Sequence, residues 1–286
     1  MDWFELRDDT VQPNSHWALV GEDMRIMTLP SSQGTRLIGN WCNNREEDGI
    51  KLITFHYGEI HHRPGIAPLD DSESLWVRYP THKIDMSHEY TPKHEKNWPM
   101  FEYNGTLLFI TSIQPLRVIV PVPHPNEALY QKTGINFGHT VSFSGATDYC
   151  WNFGTARGGT PALRVGDEYL AFFHSNVNMN QHRVMTYVVG AYTFSAHPPF
   201  RLLRMSPEPI MPIEWTTDFT YKRTDIVIFP VSFLVDETYV NLTYGKDEKT
   251  GNVVVLNRKA LMKGLRPVTS KVNHLLLLLL LMPITL

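Results

Sequence analysis

Two segments place charged and amide side chains close enough along the chain to act together on a sugar or an anion. Residues 20–26 (VGEDMRI) put two carboxylates, Glu22 and Asp23, beside the Arg25 guanidinium at the start of an apolar run. Residues 95–98 (EKNW) join a cation and an amide, which can hold an anion, to an indole that can stack on a sugar ring. A surface ion pair and an ordinary loop are the alternative interpretations of these two segments.

Two further segments carry groups suited to an oxyanion. Residues 155–161 (TARGGTP) set Arg157 beside two glycines, so backbone can approach a ligand closely while a guanidinium binds phosphate or hydroxyl groups. A tight turn is the alternative. His174 ends an apolar run, with Tyr187 and Tyr192 following it. If it faces a channel, this histidine could hold phosphate. In an apolar context it could equally be a core side chain whose hydrogen bonds are made within the fold.

A β-rich framework must position these segments, because helical periodicity is almost absent. Four stretches read as an apolar strand, a polar turn and a second apolar strand, with turns typical of hairpins. They begin about 60–75 residues apart, which is typical of propeller blades joined by long loops. We therefore predict an all-β fold, a five-bladed β-propeller with about four blades in this chain, in preference to a β-sandwich. The four stretches are residues 24–42, 101–113, 161–175 and 231–245.

Composition excludes several function classes. The chain has 286 residues and a net charge of −3 without a basic stripe, which argues against nucleic-acid binding. Its two cysteines form no CxxC pair, so neither a disulfide framework nor a metal site is predicted. The first residues lack the features of a secretory signal, and we expect a cytoplasmic location. Residues 269–286, with seven leucines at 275–281, are predicted to be a non-native or disordered tail, a membrane-associated tail being the alternative.

Five segments, in this order, resemble the motifs of glycoside hydrolase family 130, the β-mannoside phosphorylases and hydrolases. The mannosyltransferase–phosphorylases of trypanosomatid parasites are a close variant of that family. Residues 21–26 (GEDMRI) are similar to its Gly-x-Glu-Asp-Pro-Arg-Ile motif, with Met24 in place of the proline. The resemblance covers residues 20–267. The other four segments are residues 95–98 (EKNW), 157–161 (RGGTP), 225–230 (DIVIFP) and 244–248 (YGKDE).

The resemblance implies a role for each matched residue. Asp23 falls where the family has its catalytic acid, and Glu22 and Arg25 would position it and adjust its pKa. A further set of residues falls where phosphate or the terminal mannose is held: Lys96, Asn97, Trp98, Arg157, His174, and Tyr187 or Tyr192. The acidic motif usually lies deeper in the chains of the family, so the resemblance implies a propeller domain over residues 1–268 that lacks its first blade.

The resemblance also implies the reaction. One acid among several cations suits inverting phosphorolysis, since phosphate is already a nucleophile and needs positive charge around it. A hydrolase would need a second carboxylate, for which Asp148, Asp225 and Asp247 are candidates. The expected partners are a manno-oligosaccharide or mannose 1-phosphate, with inorganic phosphate as co-substrate and no cofactor or metal. A membrane is not an expected partner, and a homo-oligomer is left open. A non-catalytic carbohydrate-binding propeller and an interaction propeller are the competing hypotheses.

Overall fold

The computed structural model describes residues 6–8, 21–31, 34–47, 50–62, 75–77, 82–86, 96–126, 128, 136–143, 151–178, 185–211, 227–247 and 249–268. This part of the chain is mostly β-strand, with one regular helix, α1 (Arg258–Gly264). The all-β class expected from the sequence is confirmed. The strands are β1 (Leu6–Asp8), β2 (Gly21–Ser31), β3 (Gly34–Glu47), β4 (Ile50–His62), β5 (Leu75–Val77), β6 (His82–Asp85), β7 (Met100–Tyr103), β8 (Thr106–Ile113), β9 (Leu116–Pro123), β10 (Asn136–Phe143), β11 (Arg157–Gly158), β12 (Leu163–Val165), β13 (Glu168–Asn178), β14 (Met185–Ser195), β15 (Leu202–Met205), β16 (Ile228–Val235), β17 (Tyr239–Lys246), β18 (Thr250–Asn257) and β19 (Arg266–Pro267).

The long strands form four antiparallel meanders that follow one another along the chain. The first is β2–β3–β4, the second β7–β8–β9–β10, the third β12–β13–β14–β15 and the fourth β16–β17–β18. Strand β6 pairs with β4 and with β10, which joins the first two meanders into one sheet. Each of the four predicted hairpins begins one of these meanders, so the hairpin predictions are confirmed.

Local turn chemistry explains why the hairpins close where they do. Asn104 and Gly105, between β7 and β8, both have positive φ, 49° and 77°. An Asn-Gly pair suits this two-residue turn, because its twist matches that of the flanking strands. Between β16 and β17, Asp236 Oδ1 accepts hydrogen bonds from the amides of Thr238 at 2.7 Å and Tyr239 at 2.6 Å. These bonds lower the pKa of the Asp236 carboxyl group by stabilising its charged form.

The core lies between successive meanders, because alternate residues of a strand face opposite sides of a sheet. On β8, Phe109 packs into a cluster shared with the first meander, while its neighbours Leu108 and Ile110 pack toward the third. On β13, Phe173 joins the cluster with the second meander and Phe172 the cluster with the fourth. The described meanders therefore pack against one another in chain order, with a core cluster between each successive pair.

Two expectations from the sequence stay predictions. Closure of the meanders into a ring of five blades is one, and the missing first blade is the other. The Leu-rich residues 269–286 lie outside the described residues. In the described ranges, no helix is long and apolar enough to cross a membrane, since helix α1 has only seven residues.

Candidate functional site

Strand β2 carries a bulge at the acidic motif. Glu22 pairs with Cys42 and Arg25 with Asn40, so two residues, Asp23 and Met24, lie opposite the single residue between those partners. A bulge of this kind re-aims side chains and is common beside active sites. The structure therefore confirms that the acidic motif lies in a strand, at an irregular position. The side chains of Glu22 and Asp23 are outside the described part of the structure.

The Arg25 side chain is buried, with 1% of its surface exposed, and it links four parts of the fold. Its Nε donates a hydrogen bond to the Gly159 carbonyl. Its Nη2 donates to Asn97 Oδ1 at 3.2 Å and to the Gly158 carbonyl at 3.3 Å. The guanidinium carbon lies 5.4 Å from the ring centroid of Phe229 on β16, a cation–π contact. Arg25 thus connects the first meander to the segment before the second, to the third and to the fourth.

Asn97 shapes the segment that leads into β7. Its φ of 62° lies in the left-handed region, which asparagine tolerates better than most residues. The backbone turn at this position separates its neighbours: Lys96 is partly exposed, whereas Trp98 has only 3% of its surface exposed and packs in the core with the first meander. Trp98 is therefore a core residue, and its predicted stacking on a sugar stays a prediction.

The two glycines beside Arg157 allow close backbone packing. A Cβ on Gly158 would lie 2.2 Å from the Asn97 carbonyl oxygen and 2.1 Å from Pro99 Cδ. A Cβ on Gly159 would lie 2.6 Å from Pro230 Cγ. Neither glycine is at positive φ, so space rather than backbone conformation demands glycine here. The glycines let the Arg157 segment sit directly against the second and fourth meanders.

His174, on β13, is buried beside this junction, with 2% of its surface exposed. It is the register partner of Arg157, so the two side chains lie on the same face of the sheet. Its ring packs against Phe229, with centroids 4.5 Å apart, and stacks on Tyr187, with centroids 6.0 Å apart. Its Nδ1 has no hydrogen-bond partner among the described residues. His174 is therefore a buried polar group within an aromatic setting.

The electrostatics at His174 favour a neutral ring. Burial lowers the pKa of the imidazole well below its usual value, and the positive charges of Arg25, Arg157 and Lys96 lower it further. A hydrogen bond to the Gly158 carbonyl opposes this shift without reversing it. The three cations that the sequence placed in separate motifs therefore act on one point in the structure.

The two candidate tyrosines lie on different faces of the third meander. On β14, Tyr187 pairs with Asn176 and Tyr192 pairs with Ala171. Because side chains alternate along a strand, Tyr187 shares the face of His174 and Tyr192 lies on the opposite one. Tyr192 is fully buried between the second and third meanders, and burial raises the pKa of its hydroxyl group. The structure thus brings Tyr187, but not Tyr192, to His174.

The candidate second carboxylates are only partly described. Asp148 and Asp225 lie outside the described residues. Asp247 is partly buried at the end of β17, where its Oδ1 accepts a hydrogen bond from the Val227 amide at 3.0 Å. This carboxylate therefore closes the strand pair β16–β17. Across the described ranges, no three His, Cys, Asp or Glu side chains are grouped closely enough to hold a metal ion.

Sequence reasoning did not single out two residues of this junction. Phe229, which contacts both Arg25 and His174, lies in a matched segment but was not assigned a role. Asn40, the register partner of Arg25, is fully buried and donates from Nδ2 to the Trp98 carbonyl at 2.9 Å. An asparagine inside the mostly apolar stretch 37–42 (LIGNWC) is a usable signal, because a buried amide requires hydrogen-bond partners.

Comparison with known proteins supports the fold. No family model and no curated protein matches the chain. The β-1,2-mannobiose phosphorylase from Listeria innocua, solved with β-1,2-mannobiose, is similar over 85% of this chain, with a TM-score of 0.51 and 12% identity. This chain spans 60% of the length of that protein.

Two other solved structures are similar over 88% of this chain and 67% of their own, each with a TM-score of 0.48 and 13% identity. One is a glycosyl hydrolase from Bacteroides ovatus. The other was described with the finding that glycoside hydrolase family 130, a family of mannoside phosphorylases, contains glycoside hydrolases that target β-1,2-mannosidic linkages in Candida mannan. At 12% identity, the likeness to the Listeria innocua phosphorylase concerns the fold.

Proposed function

We propose that this chain cleaves or forms β-mannosidic bonds by inverting phosphorolysis or mannosyl transfer, with Asp23 as the general acid. The observation that carries the proposal is the junction at which Arg25 bonds Asn97, the neighbour of Lys96, and the two glycines that follow Arg157. Arg157 is in turn the register partner of the buried His174, and Arg25 lies two residues from Asp23 along β2. The arrangement supplies positive charge beside the motif that resembles the family's acid.

The chemistry explains why such a cluster suits phosphorolysis. The bond between the mannose C1 and the leaving sugar oxygen breaks, a bond from C1 to a phosphate oxygen forms, and the leaving oxygen gains a proton. In this proposal Asp23 supplies that proton, directly or through a sugar hydroxyl group, and Lys96 and Arg157 offset the charge of phosphate. The product is mannose 1-phosphate, and the reverse reaction transfers mannose to an acceptor.

We infer that the four meanders are blades of a β-propeller. Two features support this inference. The core clusters lie between successive meanders rather than between two sheets. In addition, Arg25 of the first meander contacts Phe229 of the fourth, so the first strands of the two outermost meanders approach each other. A central axis near these strands would gather the loops that carry the candidate site.

A β-mannoside hydrolase is the second candidate function. It requires a carboxylate that activates water on the face of the sugar opposite the acid. Asp247 is the candidate whose side chain is described, and its hydrogen bond to the Val227 amide commits one oxygen to the end of the strand pair. Because that oxygen already accepts a backbone hydrogen bond, the structure favours phosphorolysis over hydrolysis through Asp247.

The test is to incubate the protein with phosphate and β-1,2- or β-1,4-mannobiose and to measure mannose 1-phosphate. We expect Asp23→Asn to lower the rate by about 10²–10⁴-fold, the usual contribution of a general acid. Asp236→Asn, at an exposed turn of the fourth meander, is the matched control and should leave the rate unchanged. Wild-type activity in the Asp23→Asn protein would refute its role. Mannose release without phosphate would identify a hydrolase, and sugar binding without turnover a binding protein.

A further inference from the structure

Strand β18 lies at the end of the fourth meander, where β17 is its pairing partner among the described strands. The two strands pair over the whole length of β18, from Thr250 to Asn257, without a shift in register. The outward side of such an end strand presents backbone N–H and C=O groups that can pair with a further strand. β18 therefore offers a regular edge of eight residues.

Proteins usually protect such edges with short strands, prolines, charged side chains or bulges. The other end strands in the described ranges carry such protection. Strands β1, β7, β11, β12 and β19 have only two to four residues each. Strands β2 and β16 are longer, but each contains a proline, Pro30 or Pro230, and a bulge in its pairing. β18 (TGNVVVLN) has no proline, no charged residue and no bulge, so its edge is open to pairing.

The side chains beside this edge are apolar and uncharged. Val253 and Val255 lie on the same face of the sheet, with 61% and 59% of their surfaces exposed. Their register partners on β17, Thr243 and Asn241, are uncharged as well. Val254 lies on the opposite face, where it and helix α1 pack against the core cluster of the third and fourth meanders. Helix α1 therefore leaves the face with the two exposed valines uncovered.

We propose that β18 pairs antiparallel with the β18 strand of a second copy of this chain, so that their two three-stranded sheets join into one. With the two-fold axis at Val254, Val253 of each copy lies opposite Val255 of the other. The exposed valines of the two copies then form one apolar cluster, in which cross-strand pairs stabilise the sheet. This inference is independent of the proposed function.

Charge and edge protection together select a second copy as the partner. Two β18 strands meet without like-charge repulsion, because neither carries a charged side chain. The other described end strands are protected, so the edge that a copy offers to β18 is its own β18. A contact in which both copies use the same strand uses up both edges, so it closes at two chains and does not continue into a fibre.

The test is analytical ultracentrifugation of the full chain at concentrations from about 1 μM to 1 mM, which covers the affinities of small interfaces. We expect the wild-type mass to rise toward twice the 32.9 kDa of one chain. The double variants Val253→Glu with Val255→Glu, and Val253→Lys with Val255→Lys, place like charges opposite each other across the axis. Each should raise the Kd of the dimer at least about tenfold, and an equimolar mixture of the two should dimerise again.

Leu234→Lys is the matched control. Leu234 has 72% of its surface exposed and lies on the same face as Val255, but on β16, two strands away from the edge. This variant should dimerise as the wild-type protein does. Loss of the dimer in Leu234→Lys would place the contact on the sheet face and overturn the edge pairing.

Hydrogen exchange of the wild-type protein tests the pairing without any variant. Amides of residues 250–257 should exchange more slowly as the concentration rises, because new hydrogen bonds form along the edge. A wild-type protein that stays monomeric up to about 1 mM would overturn the proposal, as would a dimer whose exchange in this strand does not change. Double variants that dimerise as the wild type does, or a mixture of them that stays monomeric, would also contradict the proposed register.

Discussion

Gly158→Ala tests the close packing that brings the candidate site together. The new Cβ would lie 2.2 Å from the Asn97 carbonyl oxygen and 2.1 Å from Pro99 Cδ. Ordinary van der Waals contact begins at 3.4 Å, so one of the two backbone segments must move by more than about 1 Å. The neighbours are a backbone oxygen and a proline ring, which cannot rotate away as a flexible side chain would. The strain therefore falls on the backbone that positions Lys96 and Arg157.

We expect this substitution to destabilise the protein by about 1–3 kcal/mol, the usual cost of overpacking a well-packed interior. For a chain of this size, that corresponds to a fall in Tm of roughly 2–10 °C. Because Arg25 donates to the Gly158 carbonyl at 3.3 Å, the displacement also disturbs the link between the first and third meanders. Thermal unfolding followed by circular dichroism measures the first effect. The phosphate-dependent cleavage of mannobiose, with kcat and KM for phosphate separated, measures the second.

Gly251→Ala is the matched control, because among the described residues, its chain neighbours aside, no heavy atom lies within 4 Å of a Cβ built at that position on β18. Its φ is not in the left-handed region, so the extra methyl group should be neutral or slightly stabilising. A Gly158→Ala protein that unfolds at the same temperature as Gly251→Ala, with unchanged kinetics, would show that the third meander does not approach the segment before β7 as closely as described. The argument for a shared site would then lose its geometric basis.

Three further predictions concern the same junction. Arg25→Met should destabilise the protein by about 3–5 kcal/mol in urea unfolding, because it leaves the buried acceptors on Asn97, Gly158 and Gly159 without their donor. Asn97→Ala should be less stable than Asn97→Gly by about 1 kcal/mol, since the φ of 62° penalises alanine and not glycine, and equal stabilities would argue against the left-handed backbone. Since the folded pKa of His174 is lowered, the folded state binds fewer protons than the unfolded state below the usual value of 6.5, and stability falls with falling pH there. His174→Gln should reduce this slope by up to about 1.4 kcal/mol per pH unit, and an unchanged slope would mean that the histidine is not buried in the neutral form.

The strands were predictable from the sequence because their signals are local. The turn residues Asn104 and Gly105 require positive φ, and the flanking alternation of apolar residues sets the faces of β7 and β8. The way in which the meanders pack against one another was harder to predict from the sequence. Phe172 and Phe173 are adjacent and equally apolar, yet they pack in different clusters, and only the positions of neighbouring sheets decide which cluster each joins. Contacts between meanders join residues that are tens of positions apart, and no local sequence pattern indicates which of them will meet.

The candidate site was predictable only in part, because its groups come from segments far apart in the chain. The motif resemblance identified Arg25, Asn97 and Arg157 as important, and the structure places all three at one junction. It could not separate Tyr187 from Tyr192, whose faces depend on the strand register. Nor could it find the contact of Phe229 with Arg25, which requires the first and fourth meanders to meet.

The motif residues fall into a buried group, which holds the fold together, and an exposed group, which can contact a ligand. Arg25, Asn97 and the two glycines use their hydrogen bonds and their close packing inside the protein, so their substitution should act first on stability and on the relative position of the meanders. Lys96 and Arg157 are partly or fully exposed, so their charges can reach a ligand. His174 belongs to neither group, because it is buried and its Nδ1 has no hydrogen-bond partner in the part of the chain that the structure describes. Substitution of Lys96 or Arg157 should therefore act on ligand binding before it acts on stability.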